Sequence, residues 1–307
     1  MSASPHALSV VQPVQITPAM LITTNVPEAD HPVWAAGATY ELGARVIWAN
    51  RIYESLQANN VGRDPATSPT WWIDAGATNR WRVFDRIVNT QTTAPAGPTP
   101  TISYTIRPSR AVSALAVLNV AGCTSLQIRM VDPVHGTVYD KTTSFALQSV
   151  TQSWWAWFFG QKRRPEQHIA LDLPAYPAAD IIVTLVGNAD LAVGVILLGP
   201  QQRYGLGVRH GARLGIQDYS RKETNQFGDA ILVRRAFARR ANFGMLIESG
   251  EVDSMQSFLA RVRAVPCLWI GSNSIEATVV YGFYKNFEIL ISYPSHADCE
   301  IEIEGLT

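Results

Sequence analysis

TISYTIRPSRAVSALAVLNVAGCTSLQIRMVDPVHGTVYDKT, residues 101–142, decides the fold class. Residues 101–108 alternate apolar and polar, the period of a strand with one buried face. AVSALAVLNV, 111–120, is a continuous apolar run, which suits a strand in a sandwich interior. SLQIRMVD and GTVYDKT read as a hairpin whose turn runs from Pro133 to Gly136. Further on, IIVTLVG at 181–187 and LAVGVILLG at 191–199 are again apolar, rich in β-branched residues and bounded by Gly and Asn. Several short strands separated by turns predict a β-sandwich over 81–200.

Upstream, NTQTTAPAGPTP at 89–100 has the Thr, Pro and Gly content of a linker. Residues 31–80 form an aromatic-rich unit. In it ARVIWA and RIYESL alternate about Ala49-Asn50, which predicts a hairpin. About fifty residues make a marginal core. Trp34, Tyr40, Trp48, Tyr53, Trp71 and Trp72 are therefore expected to supply its burial. Residues 1–30 read as an extended arm, punctuated by Pro5, Pro13, Pro18 and Pro27. Such an arm lies against its own domain or against a neighbouring subunit, or remains a mobile terminus.

Downstream of 200 a glycine-rich loop leads to ILVRRAFARR, which alternates as a strand. One helix stands out at 252–264. There Val252, Met255, Phe258, Leu259 and Val262 recur at spacings of three and four, after Gly250 and before Pro266. CLWIGS, EATVVYGFYKNFEILISY and CEIEIEGL follow as strands. The expected architecture is thus mainly β: an arm (1–30), a small β-module (31–80), a β-sandwich (81–200), and a β-rich assembly region with one amphipathic helix (201–307).

Composition narrows the function. Of the 307 residues 47% are apolar, enough for sizeable cores, while only 16% are charged against about 25% in average soluble domains. Sparing use of charge fits a surface largely covered by partners. Twenty-five basic residues balance twenty-five acidic ones, which argues against nucleic acid as a partner. Arg234, Arg235, Arg239 and Arg240 are the one basic cluster. Apolar residues alternate around it, so it reads as a solvated or interfacial strand face, with a phosphate patch as the alternative. Cys123, Cys267 and Cys299 lack CxxC spacing and read as buried free thiols. The first residues do not form a secretory signal, and no apolar run is long enough for a membrane helix.

Recognisable chemistry is sparse. The six histidines form no HExxH, and neither GxSxG nor a phosphate-binding GxxxxGK[ST] loop occurs. Neither an enzymatic activity nor a cofactor nor a metal is therefore expected. Glu300, Glu302 and Glu304 alternate with Ile301 and Ile303, so their carboxylates share one strand face. That face is read as the wet side of a sheet, with calcium binding as its alternative. SWWAWFFG, 153–160, read as a strand, places Trp155, Trp157 and Phe159 on one face and Trp154 and Phe158 on the other. One face serves the domain core. The second is read as a subunit interface, its rival being a strand buried on both sides. The run is too short and unpatterned for membrane insertion.

Trp34, Tyr40, Gly43, Val46, Tyr53, Gly62, Pro65 and the Trp71-Trp72 pair are spaced as in the small chitin-binding modules of families five and twelve, which 34–72 resembles. The resemblance implies a small β-fold. It also implies a saccharide platform for host cell-surface polysaccharide, with Trp48, Tyr53, Trp71 and Trp72 as candidate rings. The family's stacking rings follow the position of Tyr53, where this chain has LQANN at 56–60 and no ring. ITPAML at 16–21, TNRW at 78–81, GIQDYSRKETNQFGD at 215–229, YGFYKNF and CEIEIEGLT resemble a family of bacteriophage virion proteins. The middle region also resembles galactose-binding-like jelly rolls. Together these imply a non-enzymatic structural protein of a phage tail tip, baseplate or collar. It would be assembled in the host cytoplasm, as a homo-oligomer in contact with other tail proteins. The alternative is a carbohydrate-binding receptor module on the virion surface.

Overall fold

A computed structural model describes residues 7–149, 154, 162–209, 211–224, 229–272 and 275–306. The chain is mainly β, with 52% of residues in strands and 8% helical. Among the described residues no helix is long and apolar enough to cross a membrane. Two compact units emerge. One comprises Gln15–Ala111 and Leu115–Leu197, the other Met1–Val14, Val112–Ala114 and Leu198–Thr307.

The first unit is built on a seven-stranded antiparallel sheet. Its centre holds two very long strands, Ala114–Asp132 and Asp180–Gly199. The sequence suggested two strands in each of these stretches. Gly187 and Asn188, read as a boundary, instead lie inside a continuous strand, and so do Asn119 and Gly122. Asn119 and Gly122 both have positive φ. A Cβ on Gly187 would stand 2.2 Å from the Gly122 carbonyl oxygen. Only glycine permits the two backbones to approach so closely. The burial pattern changes at the same place: Asp180–Leu185 alternates, whereas 191–199 is buried throughout. The 191–199 run therefore occupies interior positions, as its lack of alternation required, whereas 181–187 buries only one face.

Thr101–Ile106 pairs with the first half of Asp180–Gly199, and Leu21–Thr24 pairs with it in turn. Gly136–Ser144 returns along Ala114–Asp132 as the expected hairpin. Its turn is fixed by the Asp132 carboxylate, which accepts from the Val134 and His135 backbone N–H groups at 3.0 and 2.9 Å.

The aromatic-rich segment belongs to this unit. Arg45–Trp48, Arg51–Ser55 and Trp72–Ala77 make a three-stranded sheet, and Thr39–Tyr40 pairs with Asn60–Val61. Trp48 and Arg51 flank the Ala49-Asn50 turn. Both turn residues have positive φ, 48° and 66°, which makes it the type I′ turn that matches strand twist. Beyond it, TNRW ties chain segments together. Thr78 donates to Glu28, Asn79 hydrogen-bonds Thr93 through both its amide and its carbonyl, and Arg80 donates to the Val26 carbonyl.

The second unit is an eight-stranded antiparallel sheet. Leu8–Val11, from the segment read as an arm, lies inside it. This strand is fully buried and pairs with Gln201–Tyr204 on one side and Cys267–Ile270 on the other. Val279–Leu290, His296–Gly305 and Phe237–Glu248 continue the sheet. The helix forms over Val252–Arg261, with Asp253 in its first turn and Arg261 in its last, both matched to the helix dipole. Met255, Phe258, Leu259 and Val262 are buried in one core with Phe243, Met245, Trp269, Cys299 and Ile301. Each such side chain contributes about 1.5–3 kcal/mol of transfer free energy. Trp269 also donates its indole N–H to the Gly282 carbonyl at 3.0 Å.

Candidate functional site

The period-two alternation of CEIEIEG puts Cys299, Ile301 and Ile303 into the core and leaves the acids outside. Asp298, Glu300, Glu302 and Glu304 thus form a column down one face of the second unit's sheet. Neighbouring strands supply partners. Asn242 donates to Glu300 at 2.7 Å, Tyr219 donates to Glu304 at 3.1 Å, and Lys285 lies 3.8 Å from Glu304. Arg240 pairs with Glu302, and Arg209 with Asp298. The Glu302 carboxylate raises the Arg240 guanidinium above its ordinary value through their hydrogen bond. These pairs are partly exposed, so solvent screens them and each contributes little to stability. The column is the wet sheet face that the sequence suggests. Among the described residues no group of three His, Cys, Asp or Glu is placed to hold a metal ion.

The column does not end in a flat surface. Gly211 and Gly244 have no side chain to fill it, and a hollow of about 400 Å³ opens there. Arg209, Arg213, Asn242, Glu288, Leu290, Asp298 and Glu300 line it. Glu288 stands directly opposite Glu300 in the strand register. Two like charges in that relation repel, and Arg209 and Arg213 line the same hollow. Leu290, which lines the hollow, is exposed, as are Ile291 and Tyr293 further along the chain. Sequence reasoning missed this feature. Glu288 and Glu300 are twelve residues apart, and only the strand register brings them together.

A second feature lies at the far end of the same sheet. Arg213–Asp218 pairs with Phe237–Glu248 as an edge strand. The hairpin continues beyond it as a two-stranded ribbon, Arg221–Thr224 with Ala230–Val233, in which every described residue is exposed. Leu232 is 77% exposed and Ile216, at the root, 68%. Ile231, Val233, Tyr219 and Phe237 are exposed as well. Of the basic cluster, Arg234 and Arg235 are exposed at the ribbon's base, Arg239 is half-buried, and Arg240 is bound to Glu302. The four arginines do not form one patch.

The candidate saccharide rings fall differently. Trp72 is 3% exposed, packs edge-on against Tyr40 at 5.3 Å, and donates its indole N–H to the Arg63 carbonyl at 2.9 Å. It is a core residue, which removes it from the platform. Trp71 is half-buried, with the Arg63 guanidinium 5.2 Å from its ring centre. Trp48 and Tyr53, also half-buried, share one sheet face, and Trp34 meets Trp48 edge-on at 5.0 Å. These ring pairs stand at 69° and 78°, whereas stacking on a sugar needs exposed coplanar rings. The burial expected of the aromatics is therefore real for Trp72 and partial for Trp34, Tyr40, Trp48, Tyr53 and Trp71.

Of the interface run, Trp155, Trp157, Phe158 and Phe159 lie outside the described residues. Trp154 is 75% exposed and has helical backbone, not the extended backbone expected of it.

Cys123, Cys267 and Cys299 are free and buried. Burial pushes the Cys123 and Cys299 thiols up to about 11, so neither is a nucleophile at neutral pH. No protein-family model, curated protein or solved structure matches the chain.

Proposed function

We propose that this chain is a non-enzymatic structural component of a bacteriophage tail, acting by assembly with copies of itself and with other tail proteins. One observation carries the assembly reading: the ribbon Arg221–Thr224 with Ala230–Val233 presents Ile231, Leu232 and Val233 to solvent with no core beneath it. A two-stranded hairpin by itself is at best marginally stable in water. Contiguous exposed apolar surface on a soluble protein marks an interaction site. The placement in a phage tail rests on the resemblance of TNRW, GIQDYSRKETNQFGD and CEIEIEGLT to virion proteins. Two of these segments have structural roles here, TNRW as a junction and CEIEIEG as a central strand.

Mass spectrometry of purified virions from the phage that encodes the chain tests the reading. The chain is expected in them at a fixed ratio to known tail proteins, and the purified protein is expected to release no product from bacterial polysaccharides. Absence from the particles, or turnover abolished by changing one carboxylate, contradicts it.

A further inference from the structure

We infer that the hollow on the second unit's sheet is a binding site for a small zwitterion, a molecule the size of an acidic amino sugar that carries both an amine and an acid. The inference stands apart from the assembly reading and asks nothing of the ribbon.

The hollow spans four strands. Arg213–Asp218, Phe237–Glu248, His296–Gly305 and Val279–Leu290 lie side by side in that order. Two glycines keep it open, since a Cβ on Gly211 or on Gly244 would meet nothing within 4 Å. Its volume of about 400 Å³ falls within the range of pockets that hold small molecules, about 300–1,000 Å³.

The lining divides by charge. Arg209 pairs with Asp298, and Asn242 donates to Glu300, so these groups are satisfied within the wall. Among the described residues, the Glu288 carboxylate and the Arg213 guanidinium have no side-chain partner, and both line the hollow. Glu288 stands opposite Glu300, with Cβ atoms about 4.5–5.5 Å apart, so the two carboxylates can converge on one cation. Among the described residues no group of three His, Cys, Asp or Glu is placed to hold a metal ion. An organic ammonium needs no closed shell of ligands, only acceptors for its three N–H bonds. The Asn242 side-chain oxygen is a further acceptor, buried and without a hydrogen-bond partner, the kind of group that a bound donor satisfies.

Arg213 lies at the other end, three strand spacings or about 14 Å of backbone from the strand of Glu288. Its planar guanidinium suits a carboxylate bound through two hydrogen bonds. The two ends therefore select opposite charges on one molecule. Two arginines and three acids line the hollow, so a zwitterion matches its near-balance better than a ligand of a single charge. Leu290, 61% exposed, adds an apolar edge for the C–H face of a ring.

Isothermal titration calorimetry of the full-length chain with muramic acid, which carries a free amine and a carboxylate on one sugar ring, tests this. Binding is expected, and it should weaken as salt rises. N-acetylmuramic acid lacks the cation and glucosamine lacks the anion. Each should bind at least about tenfold more weakly, the loss of one charged hydrogen bond. Glu288→Gln should abolish the preference for muramic acid over its N-acetyl form, and Arg213→Gln the preference over glucosamine. Thermal unfolding should stay as in the wild type, since both side chains are exposed. Linear 6-aminohexanoic acid separates the sources of the chemistry. Binding equal to that of muramic acid assigns the site to zwitterions at large, and weaker binding assigns it to the sugar. Failure of both zwitterions to bind, equal binding of the singly charged sugars, or affinity unmoved by both substitutions overturns the inference and leaves the assembly reading intact.

Discussion

Single residues decide whether the aromatic-rich segment is a core or a platform. Trp72 has its ring against Tyr40 and its N–H satisfied by a backbone carbonyl, so truncating it removes packing and orphans an acceptor. Trp72→Ala should destabilise the first unit by about 3–5 kcal/mol, read as a lower midpoint in thermal or urea unfolding. Trp48→Ala, at a half-buried ring, should cost clearly less. His168 supplies a pH signature. Burial lowers its pKa below the ordinary 6.5, against an opposing pull from Asp172. The unfolded chain then binds the proton more readily than the folded one, so this contribution is present above pH 6.5 and is lost as pH falls through the folded value. Asp132 and Asp172 are held below 3.8 by hydrogen bonds, chiefly from the His135 backbone and from Lys141. Their losses come at lower pH and do not overlap the histidine window. The unfolding midpoint should therefore fall as the pH drops below about 6.5, and His168→Gln should flatten that limb. An unchanged limb would assign the effect to other groups.

At the level of elements, glycine contacts separate bends from strand ends. The Gly187 Cα faces the Gly122 carbonyl so closely that a methyl group would sit 2.2 Å from its oxygen. Gly187→Ala should shift the backbone of both long strands and destabilise by more than about 2 kcal/mol, whereas Gly215→Ala, which meets nothing within 4 Å, should be nearly neutral. Equal effects from the two changes would remove the argument for a close crossing. The same contrast explains what the sequence made legible. The Ala49-Asn50 hairpin, the 125–142 hairpin, the helix and the column of glutamates were all readable, because each depends on local turn chemistry or on a period within one element. The long strands were read as pairs of short ones, since Gly and Asn mark a turn and a bend with the same letters. Leu8–Val11 as an inner strand was illegible for a different reason: its partners are about 190 and 260 residues away, at Gln201–Tyr204 and Cys267–Ile270. Register across strands is likewise a tertiary property, which is why the Glu288–Glu300 juxtaposition left no local trace.

At the scale of the whole molecule, low charge and an exposed apolar ribbon point the same way. The chain spends little of its surface on charge and leaves Leu232, Ile216, Ile291 and Tyr293 in water. Such surface in an isolated chain favours association, and interface cores are where charge is scarce and apolar side chains are covered. The buried thiols and the ion-paired glutamate column serve stability and solubility in this account. The most direct measurement is a density map of the intact virion by electron cryo-microscopy. The account predicts several copies of this chain repeated about the tail axis, with Ala230–Val233 of each covered by protein. A map in which the chain is present but its ribbon stands free in solvent would contradict it.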